Sequence, residues 1–157
     1  MIAELFQNRV LVCQKPLAAG GGTPAVPGDK GDRTADRVLG QGSLTSGAGC
    51  NQYNGIPARS AQSLCGPSDV ALDLDGALWV VDASNHRLLR HGQPLSGDDT
   101  ADTVIGPPEF TTSGTRCPDV LRSASGFCFP DAIACDPAGN LWTSEAGGNR
   151  VLRFDTN

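Results

Sequence analysis

Apolar residues along this chain come in short runs separated by turn residues, and no window holds them at helical spacing over three turns. Val70, Leu72 and Leu74 alternate with Ala71, Asp73 and Asp75, the two-residue period of a half-buried strand. Asp75-Gly76 then predicts a tight turn, because glycine tolerates positive φ. Leu78 to Asp82 reads as a second strand and Arg87 to His91 as a third. Arg37 to Leu39, or Thr103 to Ile105, supplies a fourth.

The pattern repeats. PSDVALDLDGALWVVDASNHRLLRH at 67–91 aligns without a gap on PDAIACDPAGNLWTSEAGGNRVLRF at 130–154, an offset of 63 residues (130 minus 67). Pro67 matches Pro130, Asp73 matches Asp136, Gly76 matches Gly139, Trp79 matches Trp142 and Arg87 matches Arg150. ELFQNRVLVC at 4–13 lines up with the tail of both copies and puts Arg9 in the same column. TADRVLGQ at 34–41 likewise matches TADTVIGP at 100–107. Four short antiparallel strands per unit, recurring, is the plan of a propeller blade. The expected fold is all-β: a partial β-propeller of about 2.5 blades, each of four antiparallel strands.

The pattern P-x-x-[VI]-A-x-D-x-x-G-x-L-W, then an acid, then N-H-R or G-N-R before a strand, resembles the NHL repeat. Its bacterial form is the nearest, with joining segments such as VLGQGSLTS at 38–46 and VIGPPEFTT at 104–112. The resemblance covers residues 1–154 and implies a propeller. It implies no activity, since the family holds binding platforms, sensor domains and some lyases.

Met1 falls in the register of Trp79 and Trp142. The expected organisation is therefore the end of a truncated blade at 1–13, a blade with long loop insertions at 14–91, and a blade with a shorter insertion at 92–157. Natural propellers have about four to eight blades. Part of a longer protein, or several copies closing a ring, is the expectation, so missing blades or self-association are among the expected partners.

Composition agrees and excludes some functions. Twenty glycines and 11 prolines, with 5% aromatic and 18% charged residues, suit loops and turns rather than long helices. The net charge of −5, with only two lysines (Lys15 and Lys30), leaves no basic stripe for phosphates, so no nucleic acid is expected as partner. No run of 18 apolar residues exists, so no membrane span is expected. The N-terminus lacks the charged start and apolar run of a signal peptide; a secretion signal would lie upstream.

Six cysteines are present, without a C-x-x-C pair. Cys50 and Cys65 bracket an insertion ahead of Pro67, and Cys117 and Cys128 bracket the matching one ahead of Pro130. One local disulfide per blade is expected, Cys50–Cys65 and Cys117–Cys128, which places the protein outside the cell or in the periplasm. Cys13 and Cys135 have no such counterparts and are read as free core residues.

Glu4/Arg9, Asp82/Arg87 and Glu145/Arg150 keep an acid and an arginine five residues apart, as expected of cross-strand ion pairs beside a hairpin loop. Arg87, Arg150 and His86 are the candidate ligand-binding residues; the simpler role of His86 is to cap the hairpin. In lyases of this resemblance, histidines from several blades converge, whereas Asn149 and Asn8 stand in the column of His86. One histidine makes no metal site, so no metal or other cofactor is expected. Asp73-Leu74-Asp75-Gly76 lacks the further acids of a calcium loop and reads as a turn, and the GGG at 20–22 as a linker. The leading expectation is a non-enzymatic binding or scaffold module of an extracellular NHL-type propeller, with a protein or carbohydrate ligand. The competing readings are a propeller lyase or lactonase with its catalytic residues mostly in missing blades, and the extracellular sensor of a membrane kinase.

Overall fold

The computed structural model describes residues 1–13, 35–47, 49–94, 96–97, 99–112, 124 and 126–155. All regular structure among them is strand or short 3-10 turn, with no α-helix, and no helix is long and apolar enough to cross a membrane. The first sheet joins β1 (Ile2–Glu4), β2 (Arg9–Val12) and β3 (Arg37–Leu39). A small hairpin, β4 (Gln52–Tyr53) with β5 (Ile56–Pro57), follows in the connecting loop. The middle sheet has four strands in chain order, β6 (Pro67–Leu72), β7 (Leu78–Asp82), β8 (Arg87–His91) and β9 (Thr103–Ile105). The last sheet is β10 (Pro130–Cys135), β11 (Leu141–Glu145) and β12 (Arg150–Phe154). All strand pairs are antiparallel. This is the all-β arrangement of partial propeller blades that the repeat predicts.

The sheets stack face to face. Successive side chains of a strand point to opposite faces, yet every residue of β7 is buried. Leu78 and Val80 enter one core with Val10, Val12 and Leu39 of the first sheet. Trp79 and Val81 enter a second with Ile133 and Leu141 of the last and with Phe127 just ahead of it. Leu89 and Leu88 divide in the same way on β8. Each fully buried Leu or Val stabilises by about 1.5–3 kcal/mol, so both faces of the middle sheet contribute. The first strands of the middle and last sheets, β6 and β10, also pack on each other.

Strand β6 ends two residues before the apolar alternation does. Leu74 lies in a turn and is 68% exposed, and Leu72 is 52% exposed. Asp73 diverts the chain: its Oδ1 accepts the N–H groups of Asp75 and Ala77, and its Oδ2 accepts the Trp79 indole N–H at 3.3 Å. Asp136 repeats this with Ala138, Asn140 and Trp142. The Trp142 indole and the Asn140 amide hold the Asp136 carboxyl down at about 2. The repeat's Asp-to-Trp spacing is thus one carboxylate joining a turn to the next strand. Gly76, at φ 79, closes the turn as expected.

The joining segments contain a glycine for a steric reason. Gly40 and Gly106 have φ of 90° and 124°. A Cβ on Gly40 would lie 2.8 Å from the Asn8 carbonyl oxygen, and one on Gly106 2.8 Å from that of His86. Both copies therefore seat this glycine against the hairpin residue that precedes the repeated arginine.

The disulfide expected between Cys50 and Cys65 is present, with Cα atoms 4.5 Å apart. Cys128 is also disulfide-bonded, and Cys117 lies outside the described residues. Cys13 and Cys135 are free, as expected, but half-buried rather than core. Closing a loop of this size stabilises by about 3 kcal/mol in the chain-entropy view. Within the loop the Tyr53 hydroxyl donates to Asp99 Oδ2. Burial first, then the Asp99 hydrogen bond, pushes the phenol up to about 12.

Tyr53 is the single tyrosine, so absorbance at 295 nm should follow it alone and give a midpoint near 12 rather than 10.0. Because the folded pKa is raised, its contribution to stability is complete below the ordinary value of 10.0 and is lost as pH climbs through about 12. A midpoint at the ordinary value would contradict the Asp99 contact.

Candidate functional site

The residues with most chemical potential meet where the hairpin loops enter the sheets. Each acid–arginine pair closes across its own hairpin, in register: Glu4 opposite Arg9, Asp82 opposite Arg87, Glu145 opposite Arg150. All three are ion pairs. They differ in burial. The side chains of Arg9 and Glu4 are 18% and 31% exposed, whereas those of Arg87 and Asp82 are both 0%. The middle pair is thus an interior one. The reason is the loop ahead of β6, which folds over it.

Arg87 uses its whole fork. Nε donates to Asp82 Oδ2 at 2.7 Å, and the terminal nitrogens donate to the carbonyls of Phe110, Ser60 and Ser63. Arg9 reaches the Leu44 carbonyl, the counterpart of Phe110, at 2.8 Å. Arg150 reaches the Gly126 carbonyl, the counterpart of Ser63, at 2.7 Å. The arginine of each copy therefore clamps the segments that join one sheet to the next. Asp82 also accepts the Cys65 N–H and the Asn85 amide, each at 2.7 Å. Burial pushes the Asp82 carboxyl up from its ordinary value, and Arg87 is the strongest of the groups pulling it back.

Asn85, 1% exposed, exchanges two hydrogen bonds with Asn51 and accepts a third from Arg59 Nε at 2.8 Å. Nothing in the repeat pattern marks Arg59 or Asn51, because they sit in the insertion. Asn8, His86 and Asn149 form one column, and all three adopt the left-handed conformation, with φ of 52°, 57° and 50°. Asn8 Oδ1 accepts the Gly66 N–H at 2.9 Å, and His86 Nδ1 accepts the Phe129 N–H at 3.1 Å. The cap expected of His86 is there, with an acceptor role added. The recurring Asn or His before Arg was the available signal for it.

Of the candidate ligand residues, Arg87 is sealed in the interior, Arg150 is partly exposed beside Glu145, and His86 is half-buried against the Phe129 ring, with centroids 4.6 Å apart. Apolar side chains are exposed to solvent at Phe6 (91%) in the first hairpin and at Phe129 (49%) beside His86, and also at Ile56 (64%) in the β4–β5 hairpin. At the opposite end a groove of about 450 Å³ runs between turns, lined by Asp73, Leu74, Asp75, Trp79 and Arg90. Arg90 is there engaged by Asp73 at 3.0 Å and Asp102 at 3.2 Å. Among the described residues, no three His, Cys, Asp or Glu side chains cluster as metal ligands.

Removing one partner of a buried pair leaves the other charge uncompensated, which costs about 3–5 kcal/mol. Arg87→Met should therefore lower the unfolding free energy by about that much in urea titrations, whereas Arg9→Met should cost about 1 kcal/mol or less. Equal effects would contradict the difference in burial.

A search of the curated proteins found no match to the chain. In a scan of family models, residues 64–90 match the NHL repeat. That segment runs from the core residue Leu64 through β6 and β7 to Arg90, and so contains the Asp73 turn, Trp79 and the Asp82–Arg87 pair. The match lies on the most completely covered sheet of the stack, and it is residues 64–90 that are similar to an NHL repeat.

Proposed function

We propose that the chain is a non-enzymatic binding module of an extracellular or periplasmic propeller, which presents its joining loops to a protein or carbohydrate ligand. The observation that carries this is the use of the arginines: Arg9, Arg87 and Arg150 are spent on backbone carbonyls of the joining segments. They anchor loops on a rigid stack, and such loops are where binding residues concentrate. Phe6, Phe129 and, in the β4–β5 hairpin of the insertion, Ile56 offer exposed apolar contact area. His86 and Arg150 lie beside it and remain candidates for polar contacts. The Cys50–Cys65 disulfide supports an oxidising compartment. The face of the last sheet that carries Trp142 and Val151, 39% and 63% exposed, is offered to missing blades or a second copy.

The test is binding of the labelled chain to peptide and glycan arrays, followed by mass spectrometry of the bound probe. Saturable binding should appear on one array and fall at least tenfold in a Phe6→Ser/Ile56→Ser variant of unchanged melting temperature, with the probe's mass unaltered. Binding indifferent to that variant, no binding to either array, or a changed probe mass would each contradict the proposal.

A further inference from the structure

The seam between the middle and last sheets is tied by a titratable group where the preceding seam uses an amide. Gly66 and Phe129 occupy one column of the repeat, each immediately before its proline, and each has a left-handed backbone, with φ of 58° and 50°. Each donates its N–H back to the hairpin of the preceding sheet. Gly66 donates to Asn8 Oδ1, and Phe129 to His86 Nδ1. A glycine adopts this conformation without strain and a phenylalanine does not. Phe129 is held there by the imidazole acceptor and by the edge-on contact of the two rings.

We propose that His86 is an acid-sensitive latch that holds the last sheet against the middle one, and that its release on protonation loosens this seam alone. The chemistry is simple. Nδ1 accepts a hydrogen bond only while it carries no proton, so the latched imidazole is neutral with its proton on Nε2. Protonation places an N–H opposite the Phe129 N–H, and the bond is lost. The carboxamide of Asn8 has no such transition.

The charged groups around the latch come from three elements. Arg59 faces it from the loop ahead of β6, Asp82 from the end of β7 beneath it, and Glu145 from β11 across the seam. Burial and the Arg59 cation lower the His86 pKa from its ordinary 6.5, against the opposing pull of the two carboxylates. The folded pKa being depressed, the latch is complete above about 6.5 and weakens as pH falls through the folded value. The ordered core beneath it, with Trp79, Val81, Leu88, Phe127 and Ile133, holds the sheets in place when the latch opens. Acid therefore produces local loosening around Phe129, not unfolding.

Amide hydrogen exchange resolved by NMR at pH 7.5 and 5.0 tests this, with rates corrected for the intrinsic effect of pH. Each unit of pKa difference between latched and open forms is about a tenfold change in the equilibrium. Protection of the Phe129 amide should fall at least threefold at the lower pH, while that of Gly66 stays constant. The repeat itself names the controls. His86→Asn should keep Phe129 protected at both pH values, and Asn8→His should transfer the acid sensitivity to Gly66. Phe129 protection independent of pH in the unaltered chain would overturn the proposal. So would equal sensitivity in His86→Asn, or loss at Phe129 and Gly66 together. If His86→Asn does not fold, the Asn8→His arm decides in the same way: a Gly66 amide that stays insensitive to pH contradicts the latch.

Discussion

A sheet with apolar side chains on both faces must be covered twice. The middle sheet meets that condition: Leu78, Val80 and Leu89 face one neighbour, Trp79, Val81 and Leu88 the other, and all six are buried. Most of the rest follows from it. The joining segments must leave one sheet and enter the next at the same end. Their glycines must let the backbone pass within contact distance of a hairpin carbonyl. The hairpins must keep groups that hold the incoming segment, which Asn8 and His86 do.

The acid–arginine corner serves the same stacking. A guanidinium that bonds one carboxylate and several carbonyls organises backbone from three places in the chain. In the interior this has a large cost if either partner is missing and a small net gain when both are present. Its value lies in fixing where the loops go. The insertion between Gln41 and Leu64 is correspondingly constrained, by the disulfide, by the Asn51–Asn85 exchange and by the Arg87 clamp.

Much of this was legible from residues alone. The strands at 78–82, 87–91, 37–39 and 103–105 begin and end where their apolar patterning says. The Cys50–Cys65 bridge follows from two cysteines at the ends of one insertion. What local pattern could not supply were particular side-chain contacts, some within a unit and some between units. Alternation carried the first strand of the unit on to Leu74, but Asp73 captures two backbone N–H groups and an indole and turns the chain early. The spacing of Asp82 and Arg87 announced a pair, yet its burial depends on Ser60 and Ser63, some 24–27 residues upstream. The cap at His86 is legible in the pattern, but its acceptor role needs Phe129, 43 residues on. Cys13 and Cys135 looked like core positions by alignment and are half-buried, since the repeat equates columns and not environments.

Stacking is most directly tested by native-state hydrogen exchange across the whole chain. Strands covered on both faces should open only with the global unfolding of the molecule, and a strand covered on one face should open locally at lower free energy. β7 is buried along its length, whereas Val151 and Arg153 of β12 are exposed. The predicted result is that amides of β7 and β8 exchange at the global limit, with those of β12 opening at lower free energy. Protection of β12 equal to or above that of β7 would contradict a stack centred on the middle sheet.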